Sequence, residues 1–274
     1  MLSVCLCAMP LSVRVVTLLT LALGIWGGPS ASAQENGACD PPFALNLTVR
    51  DVGVSLGDAR RTIGARVNYG DRCLQMSTGV NATLFPPFSP DGTVNGLALG
   101  LPLTGSARLR GLAVGIGLFF GNAGDVRGAA NGVLLGGVAT VSESPARGLL
   151  VGGLGTGVGA RAMGVVLGGA TAVSTERGRG LFLGGVVAGT GGPSVGLLAG
   201  GLAAGTTDRL KGAAFSLGVV GAGTRLVGLG VGGLGVGSRT AITGAALAGG
   251  ALATRRLTGL GATMGYVRIR DGGT

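Results

Sequence analysis

The sequence predicts an all-β, glycine-rich tandem-repeat β-solenoid, and three observations carry that prediction. A glycine recurs every 16 residues, at Gly132, Gly148, Gly164, Gly180, Gly196, Gly212, Gly228 and Gly244. Self-similarity at a fixed period is the mark of a repeat architecture. The register holds through these eight anchors without an insertion, as stacking of each coil on the previous one demands. Finally, short Val, Leu and Ile runs alternate with polar turns such as Ser174-Thr175-Glu176-Arg177 and Thr206-Thr207-Asp208-Arg209. That alternation favours strands.

Composition narrows the choice further. Glycine supplies 60 of 274 residues, against a usual share of about 7%. With 10 Pro and no G-X-Y triplet, a collagen helix is excluded. Hydrophobic residues make up 46% of the chain and charged residues 12%, the opposite of a disordered composition. Helices would carry a glycine at nearly every fourth position, at roughly 1 kcal/mol each.

Residues 1–33 read as a cleaved signal peptide: Arg14 as the basic start, Val15 to Ile25 as the apolar stretch, and Ala31-Ser32-Ala33 before Gln34. The apolar stretch is shorter than the roughly 20 residues that span a bilayer. The start is either Met1 or Met9, since Met1 to Ala8 adds nothing a signal needs. Removal of the leader leaves 20 basic and 11 acidic residues, a net charge of +9, and two cysteines, Cys39 and Cys73. In an oxidising compartment such a pair is expected to close; with no histidine present the two supply too few ligands for structural zinc.

Residues 34–63 form an N-terminal cap segment with a strand predicted over Phe43 to Val49 and a turn at Gly57-Asp58. The repeat domain follows over 64–265. Its first part, 64–131, is degenerate, with anchors at Gly64, Gly79, Gly96 and Gly111, a proline-rich break from Pro86 to Gly92, and an insertion near Asn122 to Asp125. The regular register occupies 132–259, where a second glycine stands five residues after each anchor except at Leu217. Residues 266–274, with Tyr266 to Arg270 as a polar-faced strand, end the chain as a cap and tail.

The rival architecture is an up-and-down antiparallel meander, closing as an outer-membrane β-barrel used as a channel or scaffold. Each unit holds about 10–12 residues of strand, enough to cross a membrane when tilted. The residue before each anchor also alternates, Arg147, Met163, Arg179, Val195, Lys211, Val227, as antiparallel strands would. Against the barrel stand the lack of an aromatic girdle and strands apolar on both faces.

Units such as Val94-Asn95-Gly96-Leu97-Ala98-Leu99-Gly100-Leu101 and Arg147-Gly148-Leu149-Leu150-Val151-Gly152-Gly153-Leu154 resemble bacterial exported surface-repeat proteins built from tandem N-G-L-x-h-G-L units. The resemblance covers roughly residues 64–265. It implies an exported, envelope-associated protein without enzymatic activity, in the periplasm, outer membrane or cell surface. The later units replace the pattern's polar Asn and Gln with Gly, Ala and Val.

Chemistry has little to work with. The absence of histidine removes the commonest general base. The carboxylates, including Asp91, Asp125, Glu143, Glu176, Asp208 and Asp271, fall mostly in turns. The G-x-G copies around Gly155 and Gly235 lack the Lys-Ser/Thr of a phosphate loop. No catalytic, metal or cofactor site is therefore expected, and the chain reads as a non-enzyme. Thr140 and Thr156 start a threonine column that Ala172 ends, so an ice-binding ladder is not formed.

One distributed feature remains. Arg161, Arg177, Arg209 and Arg225 each stand three residues before an anchor, with Pro193 interrupting the series. In a solenoid they would line one basic edge, facing acidic envelope glycans or lipid head groups, or simply guarding an apolar sheet against edge pairing. Nucleic acid is disfavoured, since aromatic residues are not interleaved with the basic ones. Membrane association and self-association are both compatible with this pattern.

Overall fold

A computed structural model describes residues 44–71, 73–84, 91–121 and 129–270. The leader, Cys39, most of the proline-rich break, the insertion around Asn122 to Asp125 and the tail after Arg270 lie outside the described residues. The described chain is an all-β solenoid of about 12 turns with parallel pairing between successive coils. A regular coil holds a longer strand across the anchor, such as Ala146–Gly152, and a shorter one, such as Gly155–Val158. Longer strands pair only with longer strands of adjacent coils, and shorter with shorter. The antiparallel meander and its barrel are thereby overturned, since residues 16 apart pair in parallel. The alternation before the anchors has another cause. Arg147, Met163, Arg179, Val195, Lys211 and Val227 occupy one parallel column. Strands lie roughly 4.8 Å apart, so alternation holds the charges two strands, about 9.6 Å, from each other. Like charges in direct register cost stability, a cost this column avoids and the exposed Arg209–Arg225 pair bears.

The anchors are glycine because the backbone admits nothing else. From Gly64 to Gly259 they adopt φ between +118° and +141°. A β-carbon built on any of them would stand 1.8–2.3 Å from the carbonyl oxygen of the preceding anchor. Each anchor is therefore a bend in the longer strand where one coil lies against the next. The ladder extends one step upstream of its visible start, because Val52–Gly57 pairs in parallel with Arg61–Asn68 and places Gly53 opposite Gly64. Ala44–Val49 then closes this end by pairing antiparallel with Val52–Gly57. At the other end Tyr266–Ile269 adds a final parallel strand to Ala251–Thr254.

The second glycine series marks the next bend. At Gly153, Gly169, Gly185 and Gly201 an added β-carbon would lie 1.8–2.1 Å from the carbonyl oxygen of the corresponding glycine one coil earlier. At Leu217 the contact passes to Gly218, which would meet the Leu202 oxygen at 2.1 Å, and the leucine itself points into solvent at 81% exposure.

The core is thin and its two main columns compensate in size. One column lies two residues before the anchors and the other two residues after. Val94 and Leu109 stand beside Ala98 and Ala113; the sizes then exchange, with Ala130, Ala146, Ala162, Gly178 and Ser194 beside Leu134, Leu150, Val166, Phe182 and Leu198. They exchange again at Leu210, Leu226 and Ile242, which face Ala214, Gly230 and Ala246. A β-carbon on Gly178 would meet the Phe182 ring at 2.9 Å, and one on Gly230 would meet Leu226 at 3.0 Å. Interiors at crystal-like density tolerate little volume error, so each coil keeps its total volume near constant.

Buried hydroxyls finish the coil. Thr140 and Thr156 face inward and donate to the carbonyls of Val151 and Leu167 at 2.6 and 2.5 Å. Ser142, Ser174, Thr190, Ser238 and Thr254 donate to carbonyls of the polar turns at 2.7–3.0 Å. These groups close backbone acceptors that would otherwise be buried without partners.

Candidate functional site

Because successive coils pair in parallel and in register, side chains keep their inward or outward sense from coil to coil, and outward residues gather into long columns. One and three residues after the anchors, the outward side chains are apolar. The first column includes Leu149, Val165, Leu181 and Leu197; the second includes Val151, Leu167, Leu183, Ala199, Phe215 and Val231. All of them are half-buried or exposed, so nothing among the described residues covers this face. The second column forms one wall of an open groove of about 840 Å³ with a glycine floor. Beyond the floor runs a ridge of Leu154, Leu202 and Leu234, at 64%, 65% and 68% exposure. Contiguous apolar surface of this extent marks an interaction site on most proteins.

The expected basic residues lie around the anchor bend from that face. Arg209 and Arg225 are direct partners in the parallel register. Arg161 and Arg177 continue the column, their carbonyls accepting from Ala146 and Ala162 at 2.9 Å, and Pro193 occupies the interruption. All four are exposed. None of them forms an ion pair among the described residues. The sequence series did not include Arg147, Arg179 and Lys211, which are also exposed and stand closer to the apolar face, one residue before their anchors. Glu143, Glu176 and Asp208 stay in the turns beyond the arginines, and Asp208 accepts from the Thr224 hydroxyl at 2.8 Å.

A second cluster was not foreseen. The N-terminal coils replace the apolar core by polar side chains on the same columns: Ser55, Arg66 and Asn81 stack where Ala98, Ala113 and Leu134 continue. Arg66 is fully buried and donates from Nη2 to Asp58 at 2.8 Å and from Nη1 to Asp71. Asp71 also accepts from Asn68, from Asn81 at 3.1 Å and from Thr83 at 2.8 Å. Asp58 accepts from the Cys73 amide at 3.1 Å. The signal was the anchor phase itself, which puts Arg66 two residues after Gly64 and hence inside. This network holds its two carboxylates in place around the Arg66 guanidinium. It also buries Asn81, whose Asn-x-Thr context otherwise matches a glycosylation acceptor.

Among the described residues no three His, Cys, Asp or Glu side chains are arranged to hold a metal ion. Cys73 is 6% exposed, while Cys39 lies outside the described residues. No family model matches the chain, and neither a curated protein nor a solved structure shows detectable similarity to it. What stands of the resemblance to surface-repeat proteins is the coil, with its periodic stacking at about 16 residues.

Proposed function

We propose that this chain is a non-enzymatic, exported repeat protein of the bacterial cell envelope, acting as a structural or surface-interaction module. The observation that carries the reading is an apolar face repeated over successive coils beside an exposed cationic column that forms no ion pair among the described residues. A rigid surface of this kind presents many equivalent contacts at once, as solenoids do with their long faces. The leader-like residues 1–33 favour export, and export places the protein where a Cys39–Cys73 disulfide would persist. That bridge would tie the segment ahead of the first coil to the coil containing Asp71. Activity is disfavoured because histidine is absent and the buried carboxylates are engaged with Arg66.

The test is fractionation of the native host with a carbonate wash, combined with N-terminal sequencing of the recovered protein. The expected product starts at Gln34 and leaves the envelope without detergent. Recovery from the cytosol with residues 1–33 still attached would overturn the exported reading.

A further inference from the structure

The two neighbouring outer faces, taken together, identify a partner. We infer that the solenoid lies on an anionic lipid bilayer, its apolar columns against the acyl boundary and its cationic columns among the phosphates. This rests on reading the uncovered face as the working surface, and it specifies what that surface meets.

Sign and placement carry the argument. In the regular register the outward positions three and one before the anchors hold Arg161, Arg177, Arg179, Arg209, Lys211 and Arg225. Arg147 adds a seventh cation at the start of the series. Not one carboxylate occupies these two columns or the two apolar columns that follow them from Asn131 to Leu247. The nearest acids, Glu143, Glu176 and Asp208, are withdrawn into the turns on the far side of the arginines. Arg147 and Arg179 are each separated from an apolar outward residue, Leu149 and Leu181, by the anchor glycine alone. The strip is thus apolar along one side and, from Arg147 to Arg225, cationic and free of carboxylates along the other, with only the Pro193 coil in that stretch lacking a cation.

Only one partner chemistry answers both halves. A soluble acidic glycan would engage the cations and leave the leucines in water. A second copy stacked on this face would cover the leucines, but the face itself carries no carboxylate to set against the cationic columns. An anionic bilayer offers phosphates at its surface and hydrocarbon 5–10 Å beneath, the depth at which interfacial segments bury apolar faces. The groove suits this placement. Its wall crosses six coils from Val151 to Val231, five strand spacings or roughly 24 Å, and its floor of glycines lets acyl carbons approach the backbone.

The experiment is vesicle flotation of the full chain with phosphatidylglycerol–phosphatidylcholine vesicles and with phosphatidylcholine alone. Binding is expected to the anionic vesicles only and to weaken with salt. Each cation beside an anionic surface contributes roughly five-fold in affinity, so R147Q/R179Q/K211Q should reduce binding on the order of a hundred-fold. L167T/L183T/F215T should reduce it at least about ten-fold through lost acyl contact. The glutamine variant alters exposed side chains only, so unchanged circular dichroism and melting keep the result interpretable. Failure to float with anionic vesicles overturns the inference. So does flotation unchanged in both variants, which would assign binding to the leader residues. A lipid-free dimer abolished by the threonine variant also overturns it, assigning the face to a second copy. The last two results leave the envelope reading standing, because that reading is decided by fractionation.

Discussion

Gly180→Ala and Gly221→Ala exchange the same atoms two coils apart, yet they should move stability in opposite directions. Gly180 has φ +121°, and its added β-carbon would lie 2.0 Å from the Gly164 carbonyl oxygen. Holding alanine in that backbone region costs about 1–3 kcal/mol. The contact is backbone against backbone, so no side chain can swing away, and forced overpacking adds roughly 1–3 kcal/mol. The expected loss is therefore about 2–6 kcal/mol. At Gly221 an added β-carbon meets nothing within 4 Å and the φ is not positive. There alanine restricts the unfolded chain and should stabilise by about 0.4–1 kcal/mol. Urea unfolding followed by circular dichroism gives the global values, and amide hydrogen exchange around residues 160–200 reports whether coils open locally, as nearest-neighbour coupling allows. Equal effects of the two substitutions would refute the argument that anchor glycines are held by backbone geometry.

Three further outcomes follow from the same contacts. Gly178→Ala should destabilise by about 1–3 kcal/mol, since its β-carbon would strike Phe182 at 2.9 Å and Thr190 at 2.4 Å. Phe182→Leu in the same chain should recover part of that loss, and a double-mutant cycle with no coupling would contradict the size compensation. Arg66→Met leaves Asp58 and Asp71 buried without their cation and should cost about 3–5 kcal/mol in denaturant unfolding; a loss below about 1 kcal/mol would mean that the guanidinium does not hold the network. For the proposed Cys39–Cys73 bridge, intact mass should lie two hydrogens below the reduced chain, and reduction should lower stability by roughly 3–4 kcal/mol; alkylation of both thiols without reductant would exclude it.

The coil was readable because its repeat is phase-locked to a backbone requirement. Once glycine is compulsory at every anchor, drift in the other positions cannot erase the period. Gly53 escaped because it precedes Gly64 by 11 residues, in a coil too short to match the period, although it pairs in the same ladder. The orientation of the apolar residues was not readable either. Leu149 and Leu150 are equally hydrophobic, and only the paired structure shows that Leu150 is buried while Leu149 is half-exposed. Arg66 illustrates the complementary difficulty. A lone arginine in a polar stretch suggests a solvated face, and its burial becomes legible only from its phase and from carboxylates that lie 8 residues before and 5 after it. Of the basic surface, the sequence supplied the turn arginines but divided them from Arg147, Arg179 and Lys211, whose alternation resembled an antiparallel pattern.

The parallel coil-on-coil pairing also makes the molecule a length store under load. Tension applied along the stack meets a terminal coil whose hydrogen bonds run along the pulling axis and yield one after another, like a zip. A coil that peels away gives up roughly 4.8 Å of stack height. It releases 16 residues of thread, which extend to about 50 Å at roughly 3.3 Å per residue. Each detached coil thus multiplies its own length about ten-fold while its neighbours stay folded. A molecule fixed at both ends would take up sudden stretch by shedding whole coils and regain it by rewinding them on the glycine ladder.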